Sequence, residues 1–104
     1  MGSHEGVMSI SPPLFNGNNL LFWKIRTKSY LQSLGVEVWA IVEGDYQHPT
    51  SIPTDAVERN KYEINAKAIN VLLGSMSEPE FSKVMQLNLA KEIWDKIKIG
   101  RAHV

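Results

Sequence analysis

Three histidines, two closely spaced carboxylates and a short basic run are the residues of this chain whose chemistry can extend beyond packing. His4, His48 and His103 stand far apart. None shares a helix face with another His or a carboxylate at metal-ligand spacing, so the sequence predicts no metal site. Glu78 and Glu80 resemble an acid/base pair, but Ser77 and Glu80 have the spacing of a capping box, and a helix dipole favours Glu78 where it stands. Lys24, Arg26 and Lys28 alternate along a predicted helix, which spreads them around it as a solvated face. The phosphate loops GxGxxG and GxxxxGK[ST] and the nucleophile elbow GxSxG are absent. With no cysteine, disulfides, thiolate zinc sites and cysteine nucleophiles are excluded. No catalytic, cofactor-binding or metal-ligating residues are assigned, and a non-enzyme is expected.

The tryptophans carry more information. Trp23, Trp39 and Trp94 fall in three separate predicted helices, each among aliphatic neighbours, and are expected to pack a core. An exposed subset would instead mark a protein interface. The 104 residues make about one small domain, and an apolar fraction of 43% with 21% charged is that of a folding chain. Eleven Lys and Arg balance eleven Asp and Glu. Zero net charge argues against nucleic acid as the main partner, since phosphate binding needs a cationic excess. No apolar run approaches the ~20 residues that span a bilayer, and "MGSHEGVMSIS" lacks a signal-peptide core. No membrane association and a cytoplasmic location are expected.

The elements that position these residues read as helices. Residues 1–11 are expected to be a flexible leader. In "PPLFNGNNLLFW" (Pro12 to Trp23), Phe15 is a staple-like apolar contact, Gly17 permits an unusual backbone, Asn18 or Asn19 caps, and Trp23 enters the core a turn later. A helix then runs from Leu20 to Leu34, with Leu20, Trp23, Tyr30, Leu31 and Leu34 on its inner side and Gly35 as its stop. "VEVWAIVEG" fits both periods, yet a lone strand has no partner, so a short helix facing inward through Val38, Trp39, Ile41 and Val42 is predicted. After a loop over 44–54, Thr54 caps a long helix whose apolar face is Ala66, Ile69, Leu72, Leu73 and Met76, with Gly74 as its stop. Ser77 opens a fourth helix, lined on one side by Phe81, Val84, Met85 and Asn88. A last helix runs from about Leu89 to Lys98, with Leu89, Ile93, Trp94 and Ile97 inward. The prediction is an all-α bundle of four to five helices.

The final letters break the amphipathic pattern. Ile99 to Val104 back-translate to ATCGGAAGAGCACACGTC, the start of a widely used sequencing adapter whose next codon is TGA. Residues 99–104 are therefore read as sequencing-adapter or cloning scar and set aside from fold reasoning. On that reading the helical domain, 12–98, is the front piece of a longer protein, and Ile93 and Ile97 are expected to lose covering helices.

Three stretches occur in the order and spacing of a known family: "FNGNNLLFWKIRTKSYL" (Phe15 to Leu31), "VWAIVEGDYQHP" (Val38 to Pro49) and "LAKEIWDKI" (Leu89 to Ile97). The chain resembles the N-terminal region of Gag polyproteins of copia-type LTR retrotransposons, plant ones especially. Phe15, Gly17, Asn19 and Trp23 match the pattern F-x-G-x-N-[YF]-x-x-W. Ala90, Lys91, Glu92, Trp94, Asp95 and Ile97 match A-K-E-x-W-D-x-[LI], and Trp39 lies in the stretch between. Leu20 departs from the family's aromatic. Leu89 departs from its frequent Thr, which passes capping to Asn88 or lets the helix fray.

The resemblance implies a truncated part of a larger helical capsid-like domain. Its copies would associate into a particle around the element's RNA, with itself and downstream Gag regions as partners and no cofactor. The motif residues would be structural. The Cys/His knuckle that contacts RNA in the family is not in this stretch, so direct RNA binding is not expected of it. The competing expectation is a monomeric helical adaptor derived from such an element.

Overall fold

A computed structural model describes residues 11–102, with side chains through Ile97. In chain order these form helices α1 (Leu20–Ser33), α2 (Val36–Glu43), α3 (Ala56–Gly74), α4 (Glu78–Val84) and α5 (Ala90–Ala102). The all-α expectation holds. Among the described residues the one sheet-like pairing is an isolated parallel bridge between Phe15 and Met76. The expected leader lies mostly outside the described residues, as do His103 and Val104. The backbone of α5 continues as helix beyond Lys98, its expected end.

Helix α1 ends by tightening, the Leu34 and Gly35 N–H groups donating to the carbonyls of Leu31 and Gln32 at 3.1 Å each. Gly35 then takes φ +142°, open to glycine, so α2 starts one residue later at a new angle. The inner side of α1 is Trp23, Thr27 and Leu31. Tyr30 and Leu20 are half-buried, and Leu34 is 36% exposed. The predicted stripe therefore missed Thr27 and overcounted Leu34, which sits where α1 has already ended.

The ambiguous "VEVWAIVE" is helical. Val38, Ile41 and Val42 are buried and Trp39 half-buried, the face expected. Although short, α2 is central: it packs against α1, α3 and α5. An isolated strand there would leave both edges of its backbone unpaired.

Helix α3 is capped by Asp55 rather than Thr54, the Asp55 carboxylate accepting from the Glu58 N–H at 3.0 Å. Its inner face is also turned from the one predicted. Ile64, Asn65, Ala68 and Leu72 are buried, Ile69 and Leu73 half-buried, and Ala66 exposed. The reason is tertiary: α3 meets α1, α2 and α5 at once, and the small Ala68, at 0% exposure, belongs to the core cluster. Met76 is buried, but in the bridge beyond the helix.

Ser77 and Pro79 open α4 as expected, yet no capping box forms and Ser77 makes no side-chain cap. A capping box needs the Ser77 N–H for Glu80. That N–H instead donates to the Phe15 carbonyl at 2.9 Å, and Glu80 turns to Lys83 at 3.3 Å. Val84 is buried and Phe81 half-buried, whereas Met85 and Asn88 are exposed because α4 stops at Val84. In α5, Ile93 and Ile97 are buried and Trp94 half-buried, while Leu89 precedes the helix, half-buried. Ile93, at 0%, and Ile97, at 9%, are thus covered within the described residues, against the expectation that truncation would uncover them.

Candidate functional site

The motif residues divide into a converging set and a surface set. Phe15, Trp23, Trp94 and Trp39 form one continuous aromatic stack. Phe15 and Trp23 have ring centroids 5.1 Å apart, Trp23 and Trp94 5.7 Å, and Trp94 meets Trp39 edge-on at 5.3 Å. Offset and edge-to-face rings at such spacings attract beyond the apolar area they bury. The stack ties the N-terminal turn, α1, α5 and α2 together.

The polar atoms at its buried end are paired internally. The Ser75 carbonyl accepts both the Phe15 N–H at 2.8 Å and the Trp23 Nε1–H at 3.2 Å. The outer end carries cations. Lys24 Nζ lies 3.5 Å from the Trp94 ring centroid and donates to the Trp94 carbonyl at 3.1 Å. Lys28 Nζ stands 5.3 Å from the Trp39 ring. The alternating cations read as a solvated face are therefore partly recruited to tryptophan faces, a cation–π use that spacing alone did not reveal.

Gly17 has φ +93°, and a Cβ there would come within 2.8 Å of a Glu80 carboxylate oxygen. The positive φ makes glycine the fitting residue, since the Glu80 carboxylate is the free end of a side chain that can move aside. Asn19 holds the N-cap position of α1 but makes no side-chain cap. Its Oδ1 accepts the Asn16 N–H at 3.2 Å and its Nδ2 donates to the Leu14 carbonyl at 3.0 Å. Asn18 does not cap either; its N–H donates to Asn16 Oδ1 at 2.9 Å. The asparagines stitch the turn to itself rather than capping the helix it opens.

In the second motif, Ala90 is buried and Lys91 pairs with Asp95 at 3.1 Å across one turn, partly exposed, with Glu92 exposed nearby. The residue that sequence reasoning missed is Asn65. Its Oδ1 accepts the Ala90 N–H at 3.0 Å and its Nδ2 donates to the Asn88 carbonyl at 3.0 Å. The cap missing at Leu89 is supplied from α3, and Asn88 contributes its backbone carbonyl rather than its side chain. The available signal was an Asn one residue from Ile64 and three from Ala68, in the stretch that proved to face inward.

His48 lies in the loop after α2, its Nδ1–H donating to the Pro49 carbonyl at 2.8 Å and its ring 5.6 Å from that of Tyr62. His4 and His103 lie outside the described residues. Among the described residues no group of three or more His, Cys, Asp or Glu is placed to hold a metal ion. None of the described helices is long and apolar enough to cross a membrane. Comparison with family models, with curated proteins and with solved structures finds no match to this chain.

Proposed function

We propose that this chain is a non-enzymatic, Gag-like structural module that associates with copies of itself, as part of a capsid-like particle of a copia-type element. The observation that carries the reading is the division of labour among its apolar residues. Of the matched aromatic positions, Phe15 and Trp23 are buried, with the Trp23 indole N–H bonded to the Ser75 carbonyl, and Trp94 stacks half-buried against Trp23. A separate set of large apolar side chains, Leu21, Phe22, Ile25 and Val36, stands outside on α1 and α2. Exposed apolar patches on a folded surface mark association sites. The family resemblance supplies the kind of partner, a second copy and downstream Gag regions, and assigns RNA contact to regions beyond this one.

Size-exclusion chromatography with light scattering tests the reading. A mass that grows with loading concentration supports it. A strict monomer at every concentration contradicts it and turns the same exposed side chains toward the adaptor reading, in which a different protein covers them.

A further inference from the structure

Helix α1 is apolar on two sides. Opposite Trp23, Thr27 and Leu31, the side chains of Leu21, Phe22 and Ile25 stand 73%, 54% and 59% exposed. At helical spacing they make one contiguous ridge, flanked by Lys28 on one side and Arg26 on the other. The Arg26 guanidinium lies 5.7 Å from the Phe22 ring, and no acidic residue occurs in the helix. Within α1 the charges beside the ridge are all cationic.

A complementary surface lies elsewhere on the same chain. Between α2 and the start of α3 runs an open groove of about 380 Å³ lined by Ala40, Ile41, Val57 and Ile64, with Glu37 and Asp45 as its acidic lining residues. Lys61 also lines it, but its ammonium sits 3.4 Å from the Glu58 carboxylate, so the border stays acidic in balance.

We propose that the α1 ridge of one copy docks in the α2–α3 groove of another. Leu21, Phe22 and Ile25 cover the apolar lining, and Arg26 and Lys28 face Glu37 and Asp45. The contact rests on the self-association proposed above and gives that association a place and a polarity. The charge match selects a second copy as occupant, because an apolar ridge flanked by Arg26 and Lys28 and an apolar groove lined by Glu37 and Asp45 occur on the same chain. Ridge and groove are different surfaces, and each copy offers both. The contact can therefore repeat from copy to copy, as an assembly requires.

Charge exchange tests this. Arg26→Glu with Lys28→Glu gives a chain acidic at both surfaces, and Glu37→Lys with Asp45→Lys gives one basic at both. Each alone is expected to weaken self-association roughly tenfold or more, since like charges then meet. An equimolar mixture of the two is expected to associate again, because each ridge finds a groove of opposite sign on the other variant. Should Glu37→Lys loosen the first turn of α2, Asp45→Lys alone, in the loop, carries the same test at reduced amplitude.

Sedimentation velocity at low and high salt reads the outcome. Undiminished association of either double variant, or no recovery on mixing, overturns the ridge-to-groove contact while leaving self-association through another surface standing. A wild-type chain that stays monomeric overturns both.

Discussion

Thr27 shows how a single residue can oppose the fold that holds it. Its side chain is fully buried in α1, and its hydroxyl finds no hydrogen-bond partner among the described residues. Burying an unpaired hydroxyl costs about 1–3 kcal/mol. Thr27→Val keeps the shape and removes that cost, so it is expected to raise stability by roughly 1 kcal/mol, seen as a higher urea midpoint at unchanged slope. A lower midpoint would mean that the hydroxyl is bonded after all. The Tyr46 hydroxyl is likewise buried without a partner among the described residues. Burial pushes the phenol above its ordinary value of 10.0, with Glu58 and Tyr62 acting in the same direction. The fold thus favours the neutral phenol. Its contribution is complete below pH ~10 and is lost as pH rises from there through the raised folded value. Unfolding curves of wild type and Tyr46→Phe should therefore run parallel at neutral pH and diverge above that point, with wild type the less stable. Parallel curves throughout would place the phenol in water. Neither residue was legible as a special position, because the letters do not say which hydroxyls a fold leaves unpaired.

Among the elements, the sequence led to the right helices with the wrong caps. Composition and period placed α1 and α3 to within about a residue at each end, and the lone-strand argument decided α2. The caps went astray where tertiary structure competed for the same groups. Asn19 spends its side chain on the turn, Ser77 gives its N–H to Phe15, and α5 borrows its cap from α3. Capping patterns describe a helix in isolation, and three of these helices are not isolated at their starts. Asn65 is the test of that view. Asn65→Ala leaves the Ala90 N–H and the Asn88 carbonyl without their side-chain partner, at an expected cost of about 1–3 kcal/mol. Amide exchange at Ala90 should accelerate more than at the middle of α3. Equal acceleration at both sites would mean that Asn65 supports α3 itself rather than the start of α5.

For the whole molecule, the aromatic stack sets the order of importance among the tryptophans. The sequence treated Trp23 and Trp94 alike, as core residues matching the family motif. Burial separates them: Trp23 is at 0% exposure with its indole N–H bonded, whereas Trp94 is half-buried under Lys24. Trp23→Ala is expected to cost ~3–5 kcal/mol and Trp94→Ala less. Against a total of about 5–15 kcal/mol for a typical domain, Trp23→Ala alone can unfold the chain. A larger loss in Trp94→Ala than in Trp23→Ala, by urea titration, would contradict this ranking. The outward ridge of α1 was legible in the sequence only as leftovers. Leu21, Phe22 and Ile25 were the apolar letters that the inner stripe did not claim, and their joint exposure is what turns them into a surface.

Association through that surface is read by sedimentation velocity of the wild-type chain beside Ile25→Asp over a wide concentration range. The wild-type sedimentation coefficient is expected to climb with concentration, and that of the variant to stay at the value of a single folded chain. A wild-type coefficient that does not move with concentration would contradict that association.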